Sequence, residues 1–286
     1  MKEKYQFENQ KLTIIDAELG VHIEGHFSPP MIPKEDVDME GLVVEKNKMG
    51  GVVSAYFEIE QKLAGECRRY YPSGRLEMAC FYLGGLLHGP SRFYSESGRC
   101  LSESWFYKGH REGRSRRYYL SGELYAIEGF KGGVFHGKQE YYYEGGIVKS
   151  TIFYVQGKLE GVVDLYWPSG GKKRQCHFKR GKRDGYDYMW SVHGILLDKG
   201  EYRMGDPVGL HRRFYENGTL RETRRYHNPQ RFDRMKWGRD GAILLQGIFD
   251  DSLDYEEKTW DKDGALCNVR KGKWRGGKLC WEEDVG

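Results

Sequence analysis

Glycine recurs in this chain at an interval of 24 residues, and this period limits the possible folds more than any other feature. A leading glycine stands at every 24th position from Gly41 to Gly209, and a second follows nine residues later, from Gly50 to Gly218. A third glycine lies twenty residues after the leading one in six of the eight units. Self-similarity at a fixed period of this length is typical of repeat proteins, in which each unit is one supersecondary module. The sequence therefore predicts eight copies of one module.

The segments between the glycines have the character of β-hairpins. They are short and rich in Tyr and Arg, and they lack the 3.6-residue apolar period of an amphipathic helix. Tripeptides such as Pro-Ser-Gly at 72–74 suit a turn that ends with positive φ, which glycine adopts without steric cost. Stretches such as Gly109 to Gly113 would supply the return turn. The glycines that this pattern assigns to turns are Gly65, Gly74, Gly89, Gly98, Gly113, Gly122, Gly137, Gly146, Gly161, Gly170, Gly185, Gly194, Gly209 and Gly218.

Aromatic residues follow the same period, although the chain is polar overall. One row lies five residues after the leading glycine, and a second row, which includes Phe106, Phe130 and Phe178, lies seventeen residues after it. With 38% hydrophobic and 31% charged residues, the chain has little material for a thick core, whereas aromatic residues suit a pleated surface. We therefore expect an all-β protein, an elongated single-layer antiparallel array of β-hairpin repeats that forms an open sheet.

The repeat pattern divides the chain into three parts. Residues 1–40 form an acidic N-terminal segment or cap, residues 41–234 hold the eight repeats, and residues 235–286 hold degenerate terminal repeats or a C-terminal cap. The proline-rich stretch 28–40 has the composition of a loop or linker. We expect the N-terminal segment either to cap the first hairpin or to fold back onto the basic array as an occluding tail.

The order of aromatic and glycine residues resembles a known repeat family. Tyr-x-x-Gly-x-x-x-Gly with a following aromatic, at 81–98 and 106–122, resembles MORN (membrane occupation and recognition nexus) repeats. The segment YYPSGRL at 70–76 is similar to the bacterial MORN-variant subclass often labelled as antitoxin components. The resemblance covers residues 41–234 strongly and residues 235–286 weakly. It implies a curled, aromatic-lined sheet in a protein that serves as an interaction scaffold, neutralises a toxin or contacts anionic lipids.

The sequence contains no recognisable reaction centre. His88 and His136 are two repeats apart, about 20 Å at the spacing of β-strands, which is too far for a shared metal or proton relay. Motifs of serine hydrolases, zinc peptidases and phosphate-binding loops are absent. We therefore predict no enzyme activity, no catalytic residues, no metal site and no cofactor. Six cysteines without metal-like spacing, together with no apolar segment of membrane-spanning length and no secretory signal, favour a cytoplasmic protein with reduced thiols.

Basic residues are concentrated in the repeats. Residues 65–234 carry a net charge of +11, against −5 for residues 1–64 and −2 for residues 235–286. Arginines recur three residues after the leading glycine, and further basic clusters lie at 172–183 and from Arg221 to Arg234. The charge is interpreted as simple solvation, as a surface for an acidic protein partner, or as a site for anionic lipid, with nucleic acid the least favoured. The candidate binding-surface residues are Arg68, Arg92, Arg116, Arg212, Tyr70, Tyr94, Tyr118, Tyr142 and Tyr166.

These features favour a cytoplasmic, bacterial, non-enzymatic scaffold for protein–protein interaction. Arg and Tyr are the residues that contribute most to binding at protein interfaces, so a protein partner is expected, with an acidic surface. Two alternatives remain open. The chain is an antitoxin that neutralises a partner toxin by direct binding, or it binds anionic membrane lipids peripherally through its basic face.

Overall fold

The computed structural model describes residues 3–34 and 38–282. Residues 35–37, within the predicted linker 28–40, lie outside the described part, as do residues 1–2 and 283–286. The described residues form 28 β-strands and no helix. Every strand pair whose register the structure gives is antiparallel, and most pairs join neighbours in sequence. The predicted all-β fold of antiparallel hairpin repeats is thus confirmed.

The chain divides into two compact units, residues 1–158 and residues 159–286. The strands of the first unit are β1 (Glu3–Glu8), β2 (Lys11–Asp16), β3 (Val21–His26), β4 (Leu42–Lys46), β5 (Val52–Ile59), β6 (Lys62–Tyr70), β7 (Leu76–Leu83), β8 (Leu86–Leu87), β9 (Gly89–Tyr94), β10 (Cys100–Tyr107), β11 (His110–Arg111), β12 (Gly113–Tyr118), β13 (Leu124–Lys131), β14 (Val134–Phe135), β15 (Gly137–Tyr142) and β16 (Val148–Val155). The short strand β17 (Lys158–Leu159) falls on the division.

The second unit continues the same pattern of β-hairpins. These are β18 (Gly161–Tyr166), β19 (Lys172–Lys179), β20 (Lys182–Trp190), β21 (Leu196–Arg203), β22 (Asp206–Phe214), β23 (Leu220–Asn228), β24 (Arg231–Trp237), β25 (Ile243–Phe249), β26 (Asp254–Trp260), β27 (Leu266–Arg275) and β28 (Lys278–Trp281).

The hairpin of β9 and β10 shows how one repeat folds. Gly98 has a φ of 86°, and its N–H donates to the carbonyl of Ser95 at 2.8 Å. This is the glycine position of a tight hairpin turn. The ladder then pairs Gly89 with Phe106 and contains a bulge between Cys100 and Ser102. A bulge beside the turn increases the local twist of the strands, and a register shift of this kind recurs in the other repeats.

The turn between repeats is fixed by the repeat before it. The N–H of Gly109 donates to the carbonyl of Leu87 at 2.8 Å, and the N–H of Gly133 donates to the carbonyl of Arg111 at 3.0 Å. Gly109 and Gly133 close these return turns, whereas the leading glycine Gly113 opens strand β12. All fourteen glycines that the sequence pattern assigns to turns have positive φ, from 66° to 113°.

The repeats present two faces, which we name by position after the leading glycine because successive strand residues point to opposite sides. Face 1 carries the side chains two and four residues after it, such as Ser91 and Phe93. Face 2 carries those one and three residues after it, such as Pro90 and Arg92. Cross-strand pairing keeps partners on the same face, so Arg92 lies beside Glu103 on face 2.

A three-stranded sheet of β1, β2 and β3 covers face 2 in the first unit. Apolar side chains of this sheet and of Phe27, which follows it, form a buried cluster there, in which Leu12, Ile14 and Phe27 pack with Phe81 and Trp105 of the repeats. The repeat pattern did not predict these strands, since they lie before the first glycine of the series. In this unit the single sheet therefore has a second layer on one face.

A buried polar group fixes this second layer. Asp16 is fully buried and accepts hydrogen bonds from Nε of Arg114 and from the Tyr5 hydroxyl, both at 2.7 Å. The N–H of Arg114 donates in turn to the Tyr5 oxygen at 2.7 Å. Burial alone would raise the pKa of Asp16, but these hydrogen bonds outweigh it and hold that pKa below its usual value. The carboxylate is thus paired, as a buried charge must be.

Candidate functional site

The predicted arginine row lies on face 2. Ala79 is the cross-strand neighbour of both Arg68 and Arg92, and Glu103 is the neighbour of both Arg92 and Arg116. The structure therefore brings these three arginines into one row in the first unit. The predicted Arg212 lies in the second unit, where Lys199 and Thr223 flank it on face 2.

Carboxylates already pair with the arginines of this row. Arg68 donates two hydrogen bonds to Glu66, at 2.7 and 2.9 Å, and Arg92 donates two to Glu103, at 2.9 and 2.7 Å. Arg116 lies 3.5 Å from Glu3 of the N-terminal sheet. In the first unit the row is thus partly neutralised, and it lies on the face against which the N-terminal sheet packs.

The predicted tyrosine row follows the arginine row along the same strands. Tyr70, Tyr94, Tyr118 and Tyr142 in the first unit and Tyr166 in the second are all half-buried. Burial raises the pKa of Tyr94, Tyr118 and Tyr142 above the usual value. These rings are therefore part of the packing of the sheet, and each exposes only a part of its surface.

The second aromatic row lies on face 1. In the first unit the guanidinium of Arg111 lies over the rings of Phe106 and Phe130, 5.6 and 4.6 Å from their centroids. Phe130 also packs on Phe135 at 4.9 Å. In the second unit, Phe178 is paired with Gly161 across the ladder.

A third aromatic position, which the sequence analysis did not single out, joins successive repeats. The Tyr71 hydroxyl donates to the carbonyl of Tyr94 at 2.8 Å, and the Tyr119 hydroxyl donates to the carbonyl of Tyr142 at 2.7 Å. In the second unit the Tyr215 hydroxyl donates to the carbonyl of Trp237 at 2.9 Å. The doubled aromatics, such as YY at 70–71 and 118–119, are the sequence signal for this contact.

A charged hollow lies on face 1 of the second unit, and we name it the arginine groove. It has a volume of about 280 Å³. Strands β19 to β23 line it, because alternation places one or two charged residues of each strand on this face. Its lining residues are Arg174, Arg183, Asp187, Met189, Asp198, Tyr202, His211, Arg213, Glu222, Arg224 and Tyr226.

One end of the arginine groove is organised by Asp187. Arg174 donates two hydrogen bonds to its carboxylate, at 2.9 and 2.6 Å, and Arg183 lies 3.4 Å from the same carboxylate. The hydrogen bond with Asp187 raises the pKa of Arg174 above its usual value. Two parallel N–H···O bonds fix the plane of a guanidinium, so Arg174 is held in one orientation.

The other end is organised by Glu222, whose side chain is 8% exposed. Arg224 and Arg234 bond to it at 2.9 and 2.7 Å, and Arg213 lies 3.5 Å away. Arg213 also binds Asp198 at 3.0 Å. Burial would raise the pKa of Glu222, but Arg224 and Arg234 keep it below the usual value. The carboxylate therefore stays ionised at neutral pH.

Positive charge exceeds negative charge in this network. Five arginines share three carboxylates, which are those of Asp187, Asp198 and Glu222. Two positive charges are thus left without a counterpart within the network. The most exposed guanidinium groups are those of Arg183 and Arg213, whose side chains are 40% and 52% accessible. These two groups have N–H donors free to meet another anion.

Aromatic rings form the floor of the arginine groove. The ring of His211 packs against Tyr202 at 5.1 Å and against Tyr226 at 4.7 Å. The guanidinium of Arg183 lies 5.0 Å from the centroid of Tyr202. Arg and Tyr are among the residue types that contribute most to the binding energy at protein interfaces. Arg174, Arg183, Arg224 and Arg234 belong to the basic clusters that the sequence showed. The sequence pattern did not indicate that Arg213 and the three carboxylates would lie beside them.

The ion pairs of Glu222 limit its use in proton transfer. A carboxylate held ionised by arginine is a poor proton donor or acceptor near neutral pH. Among residues 3–34 and 38–282, no group of three His, Cys, Asp or Glu side chains is arranged to hold a metal ion. The same described residues contain no helix with the length and apolarity needed to cross a lipid bilayer.

Comparison with known proteins identifies the repeats. A family model described as MORN repeat variant matches residues 135–156 and 207–228, so the resemblance to MORN repeats is confirmed. The match does not extend to an antitoxin role. A search among curated proteins found no match.

Two solved structures are similar at low levels. One is the Photorhabdus luminescens Tc holotoxin pore with a mutation in TccC3, with 12% identity over 86% of this chain and a TM-score of 0.17. The other is the TcdB2–TccC3–Cdc42 complex, with 12% identity over 96% of this chain and a TM-score of 0.16. The chain spans only 16% and 18% of the lengths of those two chains.

Proposed function

Because this chain carries repeats of the MORN variant, we propose that it is a non-enzymatic scaffold that binds an acidic protein partner through the arginine groove. MORN repeats are generally protein-binding or membrane-binding repeats. The observation that carries the proposal is the excess of arginine over carboxylate in the groove. Charged groups of this kind steer an oppositely charged partner and fix its orientation.

The carboxylates of the groove support this function by orienting the arginines before a partner arrives. Asp187 and Glu222 hold Arg174 and Arg224 through hydrogen bonds of 2.6 to 2.9 Å. Since these side chains are ordered beforehand, less conformational entropy is lost on binding. Arg183 and Arg213 then provide guanidinium forks whose geometry matches a carboxylate.

The recessed walls of the groove favour an extended acidic segment over a membrane surface. The side chains of Arg174, Arg224 and Arg234, which line it, are only 34%, 29% and 28% exposed. A protruding Asp or Glu side chain can enter the hollow and meet Arg183 and Arg213, whereas peripheral membrane binding relies on an apolar face that enters the headgroup region as well as on charge. The lipid-binding alternative stays a prediction, as does the antitoxin alternative.

Ligand chemistry can be tested with the full chain and three probes. We expect a polyglutamate peptide to bind, as measured by fluorescence anisotropy, and a polylysine peptide of equal length not to bind. Affinity for polyglutamate should fall steeply as salt is raised, because the Debye length shortens from about 10 Å at 0.1 M to about 3 Å at 1 M. Binding of vesicles with anionic lipid but not of polyglutamate would reject the proposal and favour the lipid alternative.

A further inference from the structure

Two cysteines of the first unit face each other directly. Cys67 on β6 and Cys80 on β7 are cross-strand partners in the antiparallel ladder, and both are free thiols. Directly opposed residues point to the same face, with Cβ atoms about 4.5–5.5 Å apart. In the described strands, neither Cys100, Cys176 nor Cys280 lies opposite another cysteine.

The surroundings of these two thiols are unequal. Cys80 is only 1% exposed, whereas Cys67 is half-buried. Interaction with the Cys80 thiol lowers the pKa of the Cys67 thiol, and interaction with Cys67 together with burial raises the pKa of the Cys80 thiol. Arg69 lies two residues beyond Cys67 on the same face, and its charge also favours the Cys67 thiolate.

We propose that Cys67 and Cys80 form an oxidation site, at which a peroxide converts the two thiols into a cross-strand disulfide. Cys67 is the thiol that reacts first, because it is the more exposed of the two and its thiolate is favoured by the charge of Arg69. Cys80 is the resolving thiol, because it is the nearest sulfur and is shielded from the oxidant. The site is separate from the arginine groove and is independent of the function proposed for it.

The reaction balances with hydrogen peroxide as the oxidant. The Cys67 thiolate attacks one peroxide oxygen, the O–O bond breaks, and hydroxide leaves, so that Cys67 becomes a sulfenic acid. The Cys80 sulfur then attacks the Cys67 sulfur, and the S–O bond breaks. The leaving hydroxide and the hydroxide from the first step take up the two thiol protons as water. In total two thiols and one peroxide give one disulfide and two waters.

The backbone permits this bond without a change of register. Opposed residues of an antiparallel pair have Cα atoms about 4.5 to 5.5 Å apart, which lies inside the range of about 4.4–6.8 Å found for disulfides. Neighbouring ladder pairs are regular, with Glu66 opposite Phe81 and Arg68 opposite Ala79. Only the side-chain torsions of the two cysteines need to change.

The test is peptide mapping of the full chain after treatment with hydrogen peroxide. Trypsin cleaves after Arg68, Arg69 and Arg75, between the two cysteines, so a disulfide would join two separate peptides. We expect this linked pair, with a loss of two hydrogens, and its release by dithiothreitol. The absence of this link while Cys67 is oxidised would overturn the proposal, as would preferential oxidation of Cys100 over Cys67.

Two variants separate the roles of the thiols. Cys80→Ala should leave the Cys67 sulfenic acid without a resolving partner, so labelling by dimedone at residue 67 should rise about tenfold over wild type. Cys100→Ser, the matched control, should form the linked pair as wild type does. Equal dimedone labelling of wild type and Cys80→Ala would contradict the assignment of Cys80. The map of the unmodified chain tests the disulfide without relying on either variant.

Discussion

At the scale of single residues, the pKa of His88 depends on the aromatic rings that surround it. Its ring is 5% exposed and lies 4.6 Å from the ring of Phe27 and 5.1 Å from that of Tyr107. The N–H of Lys108 donates to its Nδ1 at 3.3 Å. Burial lowers the pKa of His88 below 6.5, and the charge of Lys108 adds to this effect.

We predict that this residue makes the fold sensitive to mild acid. The lowered pKa means that the unfolded chain takes up the proton first as pH falls through 6.5. Stability from neutral His88 is therefore complete above that value and is lost as pH falls towards the folded-state pKa. Urea unfolding from neutral pH to about pH 5 should show a steeper loss of unfolding free energy in wild type than in His88→Gln. His193→Gln, which replaces an exposed histidine, is the control and should behave as wild type. An equally steep loss of unfolding free energy in His88→Gln would contradict the role given to His88.

In the second unit, the buried carboxylate of Glu222 contributes to stability through its ion pairs. Its replacement by Gln should destabilise the protein, because Arg224 and Arg234 would lose their hydrogen-bonded carboxylate. We expect a loss of about 2 kcal/mol, below the full value for a buried pair because the arginines are partly exposed. Glu216→Gln, at an exposed turn position in the same repeat, should cost little. Urea unfolding of both variants checks this, and equal stabilities would show that the network contributes nothing.

At the scale of elements, the N-terminal sheet docks on the leading glycines of the repeats. A Cβ atom at Gly65 would lie 2.4 Å from Pro30, one at Gly113 would lie 2.4 Å from Tyr5, and one at Gly137 would lie 2.3 Å from Leu19. These distances leave no room for a side chain. The same glycines that permit the positive φ of the repeat thus permit the N-terminal sheet and its flanking residues to approach the repeats closely.

A pair of glycine substitutions separates these two roles. Gly113 and Gly122 both have positive φ, 73° and 95°, but a Cβ at Gly122 meets nothing within 4 Å. Gly122→Ala should therefore cost only the backbone strain of about 1–2 kcal/mol. Gly113→Ala should cost that strain plus about 1–3 kcal/mol for overpacking against Tyr5. Equal losses of unfolding free energy would show that the N-terminal sheet does not press on this position.

The elements also differ in how far the sequence could predict them. Gly98 and its hairpin turn were predictable because the need for positive φ is local and recurs in every repeat. Strands β1 to β3 were not, since their packing depends on contacts between residues far apart in sequence, such as Arg114 with Asp16. The arginine groove was predictable in part. The basic clusters were visible, but the neutralising partners, Asp187 and Glu222, come from separate strands and follow no repeat position.

At the scale of the whole molecule, each unit uses its sheet faces differently. The first unit carries the predicted arginine row on face 2, against which the N-terminal sheet packs. The second unit carries the arginine groove on face 1, and its remaining predicted arginine, Arg212, on face 2. The net charge of +11 in residues 65–234 is thus distributed over both faces. We propose that the groove, and not the row, holds an acidic partner.

Two double variants of the second unit distinguish the groove from face 2. Arg183→Gln with Arg213→Gln removes two charges from the groove, yet leaves Asp187 paired with Arg174, and Glu222 with Arg224 and Arg234. Arg212→Gln with Arg225→Gln removes two charges from face 2 of strands β22 and β23. Both pairs lower the net charge equally, so long-range electrostatic steering changes by a similar amount.

The measurement is the affinity of each double variant for polyglutamate at about 0.15 M salt, beside wild type. We predict that the groove variant binds at least about tenfold more weakly, which corresponds to about 1.4 kcal/mol, and that the face 2 variant binds within a factor of about two of wild type. Equal weakening by both variants would mean that net charge alone attracts the peptide. Weakening by the face 2 variant alone would place the binding surface on the predicted arginine row and contradict the proposal.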